Sequence, residues 1–595
     1  MEEETRRRAL IDCEDISAIV PISNSLTPVS LQIADDPRRV AVDLKFSRVD
    51  KSREDFMKLC GEPAGNVSED EILQFLNGNR VICVVGQAGI GKTTCMKRWV
   101  KKLLDEDGEQ QASCVFFIFV KYIDFSRPTT FLKFLLSTML PNWEHSDESD
   151  RYWLRILSED PNVVVALDGL DEAAAEELSA QVPRVNLFDE SSPLFFLLNL
   201  INGTLLPYAR VIISSRPACI YNLHPSQRPE HVFQILGLNS KAQDELGRQI
   251  CSENYDTIRA ILMRNAGAFA YCYVPVNFIL TVDYLMRRNC EADFVCLTKV
   301  LASACVKYSV SDHLNGKDCE LDKLSKLAWS GYRNMQITFE TKDIQEADIG
   351  ENTIGSFLTT SILSSANLKM TIMDGYKRRY FTHLIWQEFF AALYLMMIMP
   401  LDDFVEQLPL LTKCGWSSVA RFSFGLSSEP TFNQMKCVIP GAVKTSWEKK
   451  KTALVNVILS RMRELRFERF TPSPGPQPQP AEATTPSSPT IRIIDSYVVS
   501  SLLEMFSWLH EANEEMTTKM ISPYLPEEIV LPLHSIILPS DISNLFFVLR
   551  LVQDRPTLRI KKCRFAADCL HQFCQEVSKL HVQVFHASSH CLFNF

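Results

Sequence analysis

The sequence has no excess of positive charge. Lys and Arg total 62 against 72 Asp and Glu, a net charge of −10. The clustered cations that a broad nucleic-acid or anionic-membrane surface needs to displace counterions are therefore lacking. The opening stretch MEEETRRRALIDCEDISAIV carries no apolar core of the kind found in a secretory leader. Long apolar runs are scarce as well. AGAFAYCYVPVNFILTV, residues 266 to 282, nears a bilayer's thickness, but it contains Pro275 and Asn277 and runs into Asp283. With no second such run beside it, it reads as a buried helix pair rather than a transmembrane segment. No Ser/His/Asp or Cys/His set for nucleophilic catalysis stands out. The late cysteines and histidines from Cys563 to Cys591 lack the paired C-x-x-C or H-x-x-x-H spacing of a zinc knuckle. Eighteen cysteines lie scattered through the chain, many in apolar runs, as at Cys83, Cys95 and Cys114. They read as small buried side chains in a reducing compartment, which with the missing leader points to the cytosol or nucleus, with the cytoplasm the expected location.

What is present is a multidomain globular chain. Its 595 residues exceed any single hydrophobic core and suggest roughly four domains. Residues 1–65 form an N-terminal segment without a clear effector domain, with one period-2 run, Val40, Val42, Leu44 and Phe46, that predicts a half-buried strand. From 66 to 240 the runs NRVICVVG, ASCVFFIFVKYI, NVVVALD and ARVIISS alternate with helical stretches. Continuous apolar strands of this kind predict a doubly wound parallel α/β sheet covered on both faces. Helical spacing then takes over, as in LDKLSKLAWSGY, and HLIWQEFFAALYLMM is apolar almost all round, as a helix buried between neighbours would be. TPSPGPQPQPAEATTPSSPT, residues 471–490, breaks every periodicity and reads as a disordered insertion. Near the end, Leu558, Ile560, Cys563 and Phe565 fit one strand of a leucine-rich repeat.

Three stretches carry chemistry. VVGQAGIGKTTCMKRW holds Gly86, Gly91, Lys92 and Thr93 in the G-x-x-x-x-G-K-[ST] pattern, after a strand and before a helix. The glycines let backbone N–H groups close on phosphate oxygens, Lys92 neutralises the β and γ phosphates, and Thr93 offers an oxygen to Mg²⁺. Gly89 and Thr94 in the same turn belong to the nucleotide-binding set. In the helix that follows, Lys97, Arg98, Lys101 and Lys102 read as a solvated face. VVVALDGLDEA ends a buried strand in Asp168, Asp171 and Glu172, where one acid can hold Mg²⁺ through water and another can orient an attacking water. VIISSRPA delivers Arg216 to the same sheet edge, where a guanidinium can sense or stabilise a terminal phosphate. Asp168, Asp171, Glu172 and Arg216 are thus the candidate catalytic set, and Thr93 with Asp168 the candidate Mg²⁺ ligands.

In this order and spacing the three blocks resemble the NACHT domain of the NOD-like receptors, members of the STAND class of signalling ATPases. The resemblance continues in CYVPVNF, residues 272 to 278, similar to the family's helical-domain proline motif, which implies that Pro275 packs against adenine. LAWSGYRNMQITFETKDI, residues 327 to 344, resembles the winged-helix segment. FTHLIWQEFFAALYL, residues 381 to 395, resembles the signature whose histidine, here His383, reaches the β-phosphate of ADP and keeps the receptor closed.

The implied architecture is a P-loop NTPase domain at 66–240, a helical domain at 241–310, a winged-helix domain at 311–400, a second helical domain at 401–535 and a rudimentary leucine-rich repeat region at 536–595. The implied function is an ATP/ADP-dependent signalling switch of innate immunity, such as an inflammasome component. Its cofactors are ATP or ADP and Mg²⁺, it is at most a slow ATPase, and its partners are itself or other NOD-like receptors together with an unknown adaptor. Two departures matter: no death-fold bundle precedes the nucleotide domain, and the repeat array is short. A regulatory scaffold that joins other receptors' assemblies, or a turnover ATPase that remodels a partner, uses the same motifs.

Overall fold

The computed structural model describes residues 32–35 and, with short internal gaps, 67–311, 320–350, 357–360, 379–467 and 496–593. The run from Val40 to Phe46 and the segment 471–490 lie outside the described residues. A six-stranded sheet anchors the first half of the chain. Its strands are β1 (Gln32–Asp35), β2 (Val81–Val85), β3 (Cys114–Phe119), β4 (Val163–Asp168), β5 (Arg210–Ser215) and β6 (His231–Gly237). They lie in the order β1-β6-β2-β5-β4-β3, with β2 to β6 parallel to their neighbours and β1 antiparallel to β6 at the edge. Strands β2, β4 and β5 are buried along their whole length, as their unbroken apolar sequences require when helices cover both faces.

Strand order places the chemistry. The strand carrying Arg216, β5, lies between the phosphate-loop strand β2 and the acid strand β4. Register keeps their carboxyl ends level: Val85 pairs with Ser215, and Leu167 with Ile213. Gly86, Gly169 and Arg216 therefore leave the sheet side by side.

Helix α1 (Glu69–Gly78) starts with a capping box in which Ser68 and Glu71 satisfy each other's backbone donors. Helix α2 (Lys92–Leu104) buries Cys95, Met96, Trp99, Val100, Leu103 and Leu104 against the sheet. Two of its four cations, Arg98 and Lys102, are not simply solvated. Arg98 pairs with Glu69, and Lys102 lies 2.8 Å from Asp70, so they tie α2 to the acidic first turn of α1.

The apolar run at 266–282 forms a short turn of helix at Ala266–Phe269 and then α3 (Pro275–Arg287), the expected buried pair. Among the described residues no helix is long and apolar enough to cross a membrane.

Further on, helix α4 (Leu321–Arg333), the strands β7 (Thr338–Phe339), β8 (Leu358–Thr360) and β9 (Arg379–Phe381), and helix α5 (Leu384–Leu393) form one unit. Its sheet is antiparallel, in the order β8-β9-β7. Helix α5 is buried from Ile385 to Leu393 and runs on into a π turn at Tyr394–Ile398. Its Trp386, Phe389 and Phe390 form an aromatic cluster with Phe357 and Phe381, mostly edge-on, with Phe381 tilted against Phe390.

Helices α6 (Ser417–Leu426), α7 (Lys444–Phe467), α8 (Ser496–Ala512) and α9 (Pro539–Leu551) carry the chain into a ladder of parallel strands. The ladder is β10 (Glu528–Val530), β11 (Thr557–Ile560) and β12 (Val584–His586), with helix α10 (Cys569–Leu580) between the last two. Leu558 and Phe565 point into its core.

Candidate nucleotide site

The loop between β2 and α2 bends at Gly89 (φ +77°) and Gly91 (φ +106°), a backbone conformation that side-chain-bearing residues avoid. The first turn of α2 leaves backbone N–H groups without intrahelical acceptors at the loop, a ready anion site. Lys92 Nζ donates to the Gly86 carbonyl at 2.9 Å and to that of Gln87 at 3.1 Å, so the amine caps the loop. Burial lowers its pKa, opposed by Asp171, Asp168 and Glu172. Thr94 follows in the same turn.

At the end of β4, Asp168 is 7% exposed. Its Oδ2 accepts from Thr93 Oγ1 at 2.8 Å, and its Oδ1 accepts from Ser214 Oγ, which in turn accepts from Gly169 N at 2.9 Å. A hydroxyl and a carboxylate thus stand together beside the phosphate loop, an oxygen-only donor set suited to Mg²⁺. Among the described residues no group of three or more His, Cys, Asp or Glu is placed to hold a metal alone. A hard cation here would take its other ligands from phosphate and water. Of the late cysteine and histidine side chains, only Cys569 is among those described, and it is buried.

Asp171 accepts twice from Arg216, from the backbone N at 2.9 Å and in an ion pair with Nε at 3.1 Å. The far side of the same guanidinium reaches Glu388 Oε1 at 3.4 Å, across to helix α5. Burial opposes the charge on Arg216, but Glu388 and Asp171 override it and hold the pKa above the usual arginine value. Glu172 is the odd acid of the three. Burial pushes it up to about 8, opposed by Lys121, with Asp171 and Asp168 pushing the same way.

His383 is the N-cap of α5. Its Nδ1 accepts from Ile385 N at 3.1 Å, so the proton of the neutral ring sits on Nε2. That edge faces the phosphate loop, because a Cβ built on Gly89 would lie 3.1 Å from both Cε1 and Nε2. Burial, together with Lys92, Arg216 and Lys121, lowers the ring's pKa to about 4. Pro275 opens α3, and its neighbour Val276 comes closer still to the loop, 2.6 Å from the same built Cβ. Gly89 is therefore where the loop, α3 and α5 meet.

The structure brings Gly86, Gly89, Lys92, Thr93, Asp168, Asp171, Glu172, Arg216 and His383 together, while Thr94 and Pro275 are placed only by their neighbours in the chain. It also adds three that the motifs did not name. Glu388 lay inside the quoted FTHLIWQEFFAALYL stretch but had no assigned role. Lys121, just beyond β3, has its amine 4.3 Å from the Tyr380 ring of β9. Tyr273 donates its hydroxyl to Gln87 Oε1 at 2.8 Å. Tyr273, like Glu388, lay inside a quoted motif, CYVPVNF, without an assigned role; Lys121 had no motif around it.

Residues 80–254 match the NACHT domain family. Human NACHT, LRR and PYD domains-containing protein 14 is 22% identical over 335 residues, 53% of this chain and 29% of that one. Rat NACHT, LRR and PYD domains-containing protein 3 is 23% identical over 350 residues, covering 55% and 31%. Protein NLRC5 of Ictalurus punctatus is 24% identical over 376 residues, covering 57% and 21%. The chain thus spans about a third or less of the length of these relatives. Among solved structures, a STAND protein with a tetratricopeptide repeat sensor from Pyrococcus horikoshii aligns with 82% of this chain and 66% of its own, at 12% identity and a TM-score of 0.29. With the phosphate loop, the acid strand and the arginine strand all inside the matched segment, residues 80–254 are a NACHT domain, and the chain is similar to NOD-like receptors over about half its length.

Proposed function

We propose that this chain is a nucleotide-dependent signalling switch of the innate immune type, closed in its ADP state and opened by exchange for ATP to self-associate or to join other NOD-like receptors in the cytoplasm. The observation that carries this reading is Arg216. One guanidinium binds Asp171 beside the phosphate loop and Glu388 on α5, so any group that recruits Arg216 loosens α5 from the sheet domain.

Residues that would hold the nucleotide are Gly86, Gly89, Gly91, Lys92, Thr93 and Thr94 around the phosphates, with Pro275 at the base. Thr93 and Asp168 would hold Mg²⁺. The nucleotide, when bound, supplies a polyphosphate whose length and charge differ between ADP and ATP. His383 presents an Nε2–H donor at Gly89 and keeps α5 against the loop. Arg216 chooses between Glu388 and the terminal phosphate position. Two arrangements with different nucleotide preference make a population switch, and the differential contact is made by these two side chains.

Asp168, Asp171 and Glu172 are equally compatible with slow hydrolysis. Asp171 is occupied by Arg216, and burial pushes the Glu172 carboxyl up to about 8, a poor starting point for rapid turnover. This favours a latch over a turnover ATPase.

The test is self-association by light scattering. His383→Ala should raise it in the absence of any activator, and Lys92→Ala should abolish nucleotide retention. A His383→Ala chain that stays monomeric and fully ADP-loaded would refute the latch.

A further inference from the structure

We propose that Tyr273 is a positioning residue that couples the phosphate loop to helix α9, so that the seating of the carboxyl-terminal ladder sets how firmly the loop closes. Tyr273 is 3% exposed. Its carbonyl accepts from Leu238 N at 2.7 Å and presses on Gly237 (φ +92°), where a Cβ would stand only 2.1 Å from that oxygen and 2.8 Å from Ile90 Cδ1 of the loop. The backbone is thereby fixed to the end of β6, and only the side chain reaches outwards.

The hydroxyl lies between two groups. It donates its one proton to Gln87 Oε1 at 2.8 Å, so at its 3.4 Å contact with Ser540 Oγ it is the acceptor and Ser540 the donor. Gln87 in turn offers its backbone carbonyl to Lys92 Nζ at 3.1 Å. Contacts therefore run from Ser540 through Tyr273 to Gln87, which accepts from Tyr273 at its side chain and from the phosphate-loop lysine at its backbone carbonyl. A parallel contact lies one helical turn on. Asn544 donates to Tyr271 Oη at 3.4 Å and meets His510 Nδ1 at 2.8 Å, while the Arg421 guanidinium sits 4.5 Å over the Tyr271 ring. Ser540 and Asn544, four residues apart, share one face of α9, so a shift of that helix reaches both tyrosines at once.

The consequence for nucleotide retention rests on the proposed switch; the coupling itself does not. The experiment uses the full chain with Tyr273→Phe, Ser540→Ala and the double variant. Dissociation of a fluorescent ADP analogue is followed alongside hydrogen exchange of residues 84–92 without nucleotide. Each single change should speed release about fivefold, the effect of losing one hydrogen bond. The double variant should be no faster than Tyr273→Phe, and Ser540→Ala should raise loop exchange from a distant part of the sequence. Unchanged loop exchange in Ser540→Ala, or effects that multiply in the double variant, would overturn the coupling. A wild-type chain that binds no ADP while Ser540→Ala still raises loop exchange would contradict the switch and leave the coupling standing.

Discussion

Arg216, at the end of β5, and Glu388, in the second turn of α5, lie 3.4 Å apart across the join between the sheet domain and the helices after it. Glu388 is 2% exposed, and the other face of Arg216 is taken by Asp171. Removing one partner from a buried pair leaves an uncompensated group and costs far more than an exposed pair is worth. Glu388→Gln should therefore loosen α5 from the sheet domain. The expected result is ADP release faster by about tenfold, roughly 1.4 kcal/mol, with more self-association; release and size-exclusion profiles measure it. Wild-type behaviour in both would remove Arg216 from the switch.

Thr93 and Asp168 already share a 2.8 Å hydrogen bond. If they serve Mg²⁺, Asp168→Asn should bind nucleotide about as well as wild type without the cation and gain little when it is added. Titration of nucleotide with and without Mg²⁺ checks this. A full Mg²⁺-dependent gain in Asp168→Asn would exclude Asp168 as a ligand.

Gly89 is the point of contact of three elements. A methyl there faces a left-handed backbone and Val276 Cγ1 at 2.6 Å, with the His383 ring at 3.1 Å. Gly89→Ala should cost about 1–3 kcal/mol in the closed arrangement and release ADP without touching Lys92. Thermal unfolding and retained nucleotide should both fall.

His383 makes the closed form acid-sensitive. Its folded pKa, about 4, lies below its ordinary 6.5, so the unfolded chain binds more protons between these values. The stability of wild type relative to His383→Gln should be constant above pH 6.5. It should fall as the pH drops towards 4, by on the order of 3 kcal/mol in the nucleotide-free protein. Denaturation at pH 7 and pH 5 reads the difference. Glu172, raised to about 8, slopes the other way across pH 4.5 to 8, which is why the comparison needs the variant and not wild type alone.

The sheet was legible because each parallel strand is a continuous apolar run; NRVICVVG and NVVVALD fall on β2 and β4. Strand β1 was not, since the four residues QIAD carry no period and pair only through the backbone of β6. The ends of the sheet strands showed where Lys92, Asp168 and Arg216 would gather. The partner of Arg216 was invisible because Glu388 lies 172 residues away, on a helix whose apolar surroundings hid a buried acid. Tyr273 was masked by the more conspicuous proline two residues on. Arg98 and Lys102 of α2 misled for a related reason: a charged stripe reads as solvated until the acidic turn of α1 is placed beside it.

The central claim, a clamp closed on ADP, is tested most directly by denaturing the purified chain and identifying what it releases. The account predicts close to one ADP per wild-type chain, little from His383→Ala and none from Lys92→Ala. A wild-type chain that releases no nucleotide, or a His383→Ala chain as fully loaded as wild type, would contradict it.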